Sequence, residues 1–86
     1  MTLAQKREVK TDGSEASVAG LARHLIAFAA EFGSEPPGSV VLTDDSDAAL
    51  AAALVATKML IAVEATVSAS DPASLNGRLI KQLAAA

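Results

Sequence analysis

Cysteine, tryptophan and tyrosine are absent from this 86-residue sequence, and phenylalanine occurs only twice. Without cysteine the chain can form neither a disulfide nor a thiolate metal site. With only two large aromatic side chains, it has few of the residues that contribute much of the burial energy of small cores. Alanine fills 20 positions, favours helix and buries little surface. A domain this small usually needs additional stabilisation, and we therefore expect a homo-oligomer.

The sequence also lacks an excess of basic residues and a long uncharged apolar segment. Its formal net charge of −3 argues against direct binding to nucleic acid, because phosphate backbones attract basic surfaces. The most apolar segment, residues 48–67, contains Lys58 and Glu64, so we expect a buried helix and no membrane span. No apolar run follows Lys6 and Arg7, so no secretory signal is predicted and the cytoplasm is the expected compartment.

Residues 1–13 are expected to form a flexible tail, because they contain charges of mixed sign and few large apolar side chains. A first helix is predicted over residues 14–33, with Ser14 as its N-cap and Gly33 at its end. Apolar residues recur along it at alternating spacings of three and four, which places them on one face. We assign this face to an oligomer or partner interface, formed by Val18, Leu21, Leu25, Phe28 and Phe32.

An extended connector is predicted over residues 34–43, because Pro36, Pro37 and Gly38 are incompatible with a helix. The β-prone residues 40–42 could form one short strand, but no second strand is evident except across a dimer axis. A second helix is predicted over residues 44–69. It begins in the acidic run at residues 44–47, where several side chains can cap a helix.

The predicted second helix is apolar around most of its circumference, which indicates a central position in a bundle. Two other helices of one short chain can hardly cover it, and an uncovered stripe would expose apolar surface to water. Glu64 in this stripe is expected either to meet a cation of another helix or subunit or to lie partly exposed at the rim. We assign a second oligomer or partner interface to Leu50, Leu54, Thr57, Ile61 and Glu64.

A third helix is predicted over residues 71–84, because Asp71 can cap it and Pro72 suits its first turn. The sequence therefore predicts an all-α fold, with one domain over residues 14–86 built as a helical hairpin plus a short third helix. The bundle is expected to be completed between chains, as a dimer or tetramer.

No catalytic arrangement is evident in the sequence. His24 is the only imidazole and falls on the polar face of the first helix, so no nucleophile and base can be paired. The glycines have none of the spacings of a nucleotide-binding loop, and the acidic residues lack the pattern of a calcium loop. We expect no cofactor and no metal. The acidic residues suggest instead a negative surface patch, formed by Glu31, Glu35, Asp44, Asp45 and Asp47.

These features favour a non-enzymatic protein–protein interaction module, an oligomeric adaptor or regulator that binds a partner protein of unknown identity through an apolar helix face. Two alternatives stay open. The acidic patch would suit an inhibitor that covers the nucleic-acid-binding surface of its target, and its binding would weaken with salt. A tail that orders on assembly would suit a structural subunit of a phage or larger particle.

Overall fold

The computed structural model describes residues 6–9 and 18–85. Within these residues three strands and three helices alternate along the chain, so the fold is mixed α/β. None of these helices has both the length and the apolarity to cross a membrane. The elements are β1 (Lys6–Val9), α1 (Val18–Ser34), β2 (Ser39–Leu42), α2 (Asp47–Lys58), β3 (Ala62–Ala65) and α3 (Leu75–Ala85).

The strands form a parallel sheet in the order β1–β2–β3, with β2 in the centre. Helices connect successive strands, as parallel pairing requires. Side chains alternate between the two faces of the sheet, and Val9, Val40 and Leu42 are buried on the face that carries the helices. Lys6 and Glu8 lie on the opposite face and are exposed. The described part of the chain is therefore a two-layer structure, with one helix layer on one sheet face.

α2 is the centre of the helix layer, and both α1 and α3 pack on it. Its N-terminus is capped by Ser46, whose Oγ accepts a hydrogen bond from the backbone N of Ala49 at 3.1 Å. Most of its side chains are buried, and five of its alanines have no exposed surface. Because alanine is small, the neighbouring layers approach α2 closely, and the fully buried Phe32 of α1 and Ile80 of α3 fill the remaining space.

α2 ends in a cap that ordinarily contains glycine. The backbone N of Ile61 donates to the carbonyl of Ala56 at 2.8 Å, and that of Leu60 donates to the carbonyl of Thr57 at 3.1 Å. This pair of bonds defines a Schellman cap, which places one residue in the left-handed conformation. That residue is Leu60, with a φ of 62°. A residue with a β-carbon adopts this conformation at a cost of about 1–2 kcal/mol.

α3 begins at Leu75 and not at Asp71 as predicted, because Asp71 begins a turn that precedes the helix. Ser74 caps the helix, because its Oγ accepts a hydrogen bond from the backbone N of Gly77 at 2.9 Å. Gly77 lies directly against the preceding turn, and a β-carbon at this position would be 2.0 Å from the carbonyl oxygen of Asp71. Only glycine permits this close approach.

The predicted all-α fold is wrong, because the chain contains a three-stranded parallel sheet. The predicted helical hairpin and the predicted all-helical bundle between chains are therefore wrong as well. The predicted second helix, residues 44–69, divides into α2 and β3, since Leu60 ends α2 without a glycine or proline to mark the stop. The predicted connector, residues 34–43, contains the central strand β2, whose partners lie in the same chain.

The N-terminal region also differs from its prediction where the structure describes it. Residues 6–9, assigned to the tail, form β1 and pair with β2 in register from Lys6 opposite Ser39 to Val9 opposite Leu42. The rest of the predicted tail and the predicted helix start at Ser14 lie outside the described residues. α1 ends at Ser34, one residue beyond the glycine expected to end it.

Candidate functional site

The residues assigned to an interface on α1 face the chain's own core along most of the helix. Phe28 and Phe32 are buried, and their ring centroids lie 5.3 Å apart. Leu21 and Leu25 are half-buried against the same core. Val18, at the start of the helix, is 86% exposed. The structure thus brings four of the five side chains onto the core and leaves Val18 at the surface.

The residues assigned to an interface on the second helix do not form one stripe. Leu50 is 5% exposed, so a single chain already covers it, whereas Leu54 and Ile61 are half-buried. Glu64 lies on β3 and is exposed, with its Oε2 3.8 Å from Nζ of Lys6. The burial of Leu50 removes the physical argument that linked it to an oligomer, and its role in an interface stays a prediction.

Thr57, the fifth residue of that set, has a buried hydroxyl. Its Oγ1 has no hydrogen-bond partner among the described residues. An unpaired buried hydroxyl destabilises the fold, because burial removes its bonds to water. Thr57 lies in the last turn of α2, next to the cap at Leu60.

The acidic residues fall into two groups, which lie near opposite ends of the strands. Glu31 and Glu35 lie at the C-terminal end of α1, near the start of the strands, whereas the three aspartates lie at the N-terminus of α2, where β2 ends. Glu31 Oε2 accepts a hydrogen bond from Arg7 Nε at 2.7 Å. The structure therefore does not assemble these side chains into one negative patch.

The three aspartates at the start of α2 serve local structure. Asp44 Oδ1 accepts a hydrogen bond from the backbone N of Ser46 at 3.0 Å. The side-chain amide of Asn76 donates to Asp47 Oδ1 at 2.9 Å and to the carbonyl of Asp45 at 3.0 Å, which ties α3 to the start of α2. Within residues 6–9 and 18–85 no group of three or more histidines and acids is placed to hold a metal ion.

The most unusual surface residue is Leu60, which the sequence prediction missed. Its side chain is 94% exposed, and its backbone is in the left-handed conformation, which is rare for a residue with a β-carbon. The sequence carried no signal for it, because the run of apolar residues through Met59, Leu60 and Ile61 reads as continuing helix. Only the hydrogen bonds of the cap reveal that the chain reverses here.

Leu60 stands at one end of a groove between β3 and α3. Two open, shallow depressions of about 440 Å³ and about 400 Å³ make up this groove. They adjoin, since Val63 and Ala84 line both. We call the joined opening the β3 trough; it is lined by Thr57 and residues 60–65 on one side and by Ser70, Lys81 and residues 83–85 on the other.

The two ends of the β3 trough differ in chemistry. The end near the cap of α2 is lined mainly by apolar side chains, among them Leu60, Ile61 and Leu83, with polar backbone atoms exposed between them. The other end contains Glu64 and Lys81. Glu64 faces Lys6 across the sheet surface, whereas Lys81 makes no ion pair within the part of the chain that the structure describes. The trough therefore offers an apolar end and a cationic side chain at its charged end.

Comparisons of the chain with protein-family models, curated proteins and solved structures find no match. The function is therefore inferred from the geometry of Leu60 and of the β3 trough.

Proposed function

We propose that this chain is a non-enzymatic protein–protein interaction module, an adaptor or regulator that binds a partner protein. The observation that carries the proposal is Leu60, a leucine 94% exposed at a position with a φ of 62°. Its side chain gains little from burial within the chain, and its β-carbon makes the backbone conformation costly. A large apolar side chain at a strained, exposed position supports contact with another molecule.

The surroundings of Leu60 favour binding over catalysis. The side chains at the neighbouring end of the β3 trough are apolar except for Thr57, and the charged side chains Glu64 and Lys81 lie at the other end. A catalytic site needs a nucleophile or an acid–base group beside the reacting atoms, with other groups to orient it. We therefore propose a module without cofactor or metal. We place it in the cytoplasm, because small secreted domains commonly depend on disulfides and this chain has no cysteine.

Site-specific photo-crosslinking tests this proposal. A photo-reactive amino acid is placed at position 60 of the full chain in cells that express it, and at Gln82 as a control on the exposed side of α3. We expect position 60 to give an adduct of one defined mass that excess unlabelled chain suppresses, and position 82 to give none. Absence of an adduct from position 60, or equal labelling from both positions, would contradict the proposed function.

Light scattering of the purified chain at increasing concentration identifies the kind of partner. A mass that rises to a multiple of the monomer would show that the partner at Leu60 is a second copy, provided that Leu60→Asn restores the monomer. A constant monomer mass together with the adduct would show that the partner is a different protein.

A further inference from the structure

The β3 trough runs beside the backbone of an edge strand. Residues 61–65 all line it, although successive side chains of a strand point to opposite faces of the sheet. An opening that meets every residue in turn must therefore lie at the strand's edge, in the plane of the sheet. Within the described residues β2 is the only strand that pairs with β3. The other edge of β3 thus presents peptide N–H and C=O groups toward the trough.

We propose that the β3 trough binds an extended peptide segment of a partner protein, which adds to β3 as a fourth strand. This inference rests on the proposed function and specifies the chemistry of the partner. Hydrogen bonds to the outer edge of β3 hold the peptide backbone, and side chains of the peptide contact the wall formed by α3. The geometry of the edge requires a ligand with repeated backbone donors and acceptors, which an apolar small molecule lacks.

The two ends of the trough define the side chains of that peptide. An apolar side chain fits between Leu60 and Leu83. A carboxylate fits beside Lys81, which makes no ion pair within the described residues, whereas the charge of Glu64 at the same end is already paired with Lys6. Both side chains must point to the same face of the added strand. They therefore lie two or four positions apart in the peptide.

A second copy of this chain fits the trough poorly. Two β3 strands related by a two-fold axis would pair antiparallel across their edges, because a two-fold interface joins the same surface of each chain. Centred on Val63, this pairing would place the charged end containing Lys81 against the apolar end containing Leu60 of the other chain. The charge complementarity that suits an acidic peptide is absent from such a dimer.

Selection from a displayed library of random linear peptides tests the proposal. The intact chain and its Lys81→Glu variant, altered at an exposed position, are used as separate targets. We expect the unaltered chain to enrich peptides with a carboxylate two or four positions from an apolar residue. The variant should enrich peptides that have a basic residue at the position of the carboxylate. Synthetic acidic peptides should bind the Lys81→Glu variant about fivefold more weakly than the unaltered chain, because an exposed ion pair contributes about 1 kcal/mol.

Backbone methylation of an enriched peptide distinguishes strand addition from other modes of binding. Methyl groups on alternate peptide nitrogens should weaken binding up to about tenfold, because each blocks one N–H that donates to β3. The intervening nitrogens should tolerate methylation. Loss of binding without this alternation, enrichment that ignores the charge at position 81, or no enrichment would each overturn the trough proposal. A persistent cross-link from position 60 would then leave the proposed function standing.

Discussion

Replacing Leu60 by glycine is expected to stabilise the fold although it removes a large side chain. The left-handed conformation costs leucine about 1–2 kcal/mol, and glycine avoids this cost. Glycine also lowers the stability by about 0.5–1 kcal/mol, because it gives the unfolded chain more conformational freedom. Because the side chain is 94% exposed, its loss removes little buried surface. The net gain in the free energy of unfolding is therefore about 0.5–1 kcal/mol.

Thermal and urea unfolding, followed by circular dichroism, measure this gain. For a chain of this length a gain of about 0.5–1 kcal/mol raises the melting temperature by about 2–8 °C. Leu60→Ala is the matched control, because alanine keeps the β-carbon and its strain but loses the same exposed surface. We expect its stability to change by less than about 0.5 kcal/mol. If Leu60→Gly is no more stable than Leu60→Ala, the strain argument is refuted.

Three further substitutions test other parts of the fold. Thr57→Val removes a buried hydroxyl that has no partner among the described residues. The change should raise the free energy of unfolding by about 1 kcal/mol and so increase the urea midpoint, whereas a lower midpoint would show that the hydroxyl is hydrogen-bonded. Gly77→Ala forces a β-carbon against the carbonyl of Asp71 and should lower stability by about 3 kcal/mol in thermal unfolding; an unchanged melting temperature would contradict the close approach. Ser46→Ala removes the cap of α2 and should lower stability by about 1 kcal/mol, whereas Ser46→Asp should preserve it.

Periodicity in the sequence indicated which side chains of α1 share a face, but not what that face meets. Phe28 and Phe32 recur at helical spacing and are buried, yet they pack into the chain's own core. A repeat of three and four residues reports that a face is apolar, and it carries no information about whether the covering surface belongs to the same chain. The same reasoning assigned Leu50 to an interface, and the structure buries it within one chain.

The β-prone residues 40–42 lie in β2, but β1 and β3 could not be recognised, because each has only four residues. Such a segment contains too few alternations to distinguish a strand from a turn or from a piece of helix. β3 is further obscured by its position, since the apolar run of α2 continues into it through Leu60 without glycine or proline. Pairing with β2, a contact between distant parts of the chain, makes this segment a strand. The β3 trough depends on that pairing and was therefore invisible in the sequence.

The alanines of α2 restrict how this protein can diverge in evolution. Ala51, Ala52 and Ala53 have no exposed surface and follow one another around the helix, so a larger residue at any of them would push away one neighbouring layer. Glycine, the only smaller residue, would weaken the helix by about 1 kcal/mol. Related chains should therefore keep small residues along α2, whereas the exposed rim around Leu60 is free of this restriction. Conservation in such a family would then mark the scaffold, and variation would mark the surface.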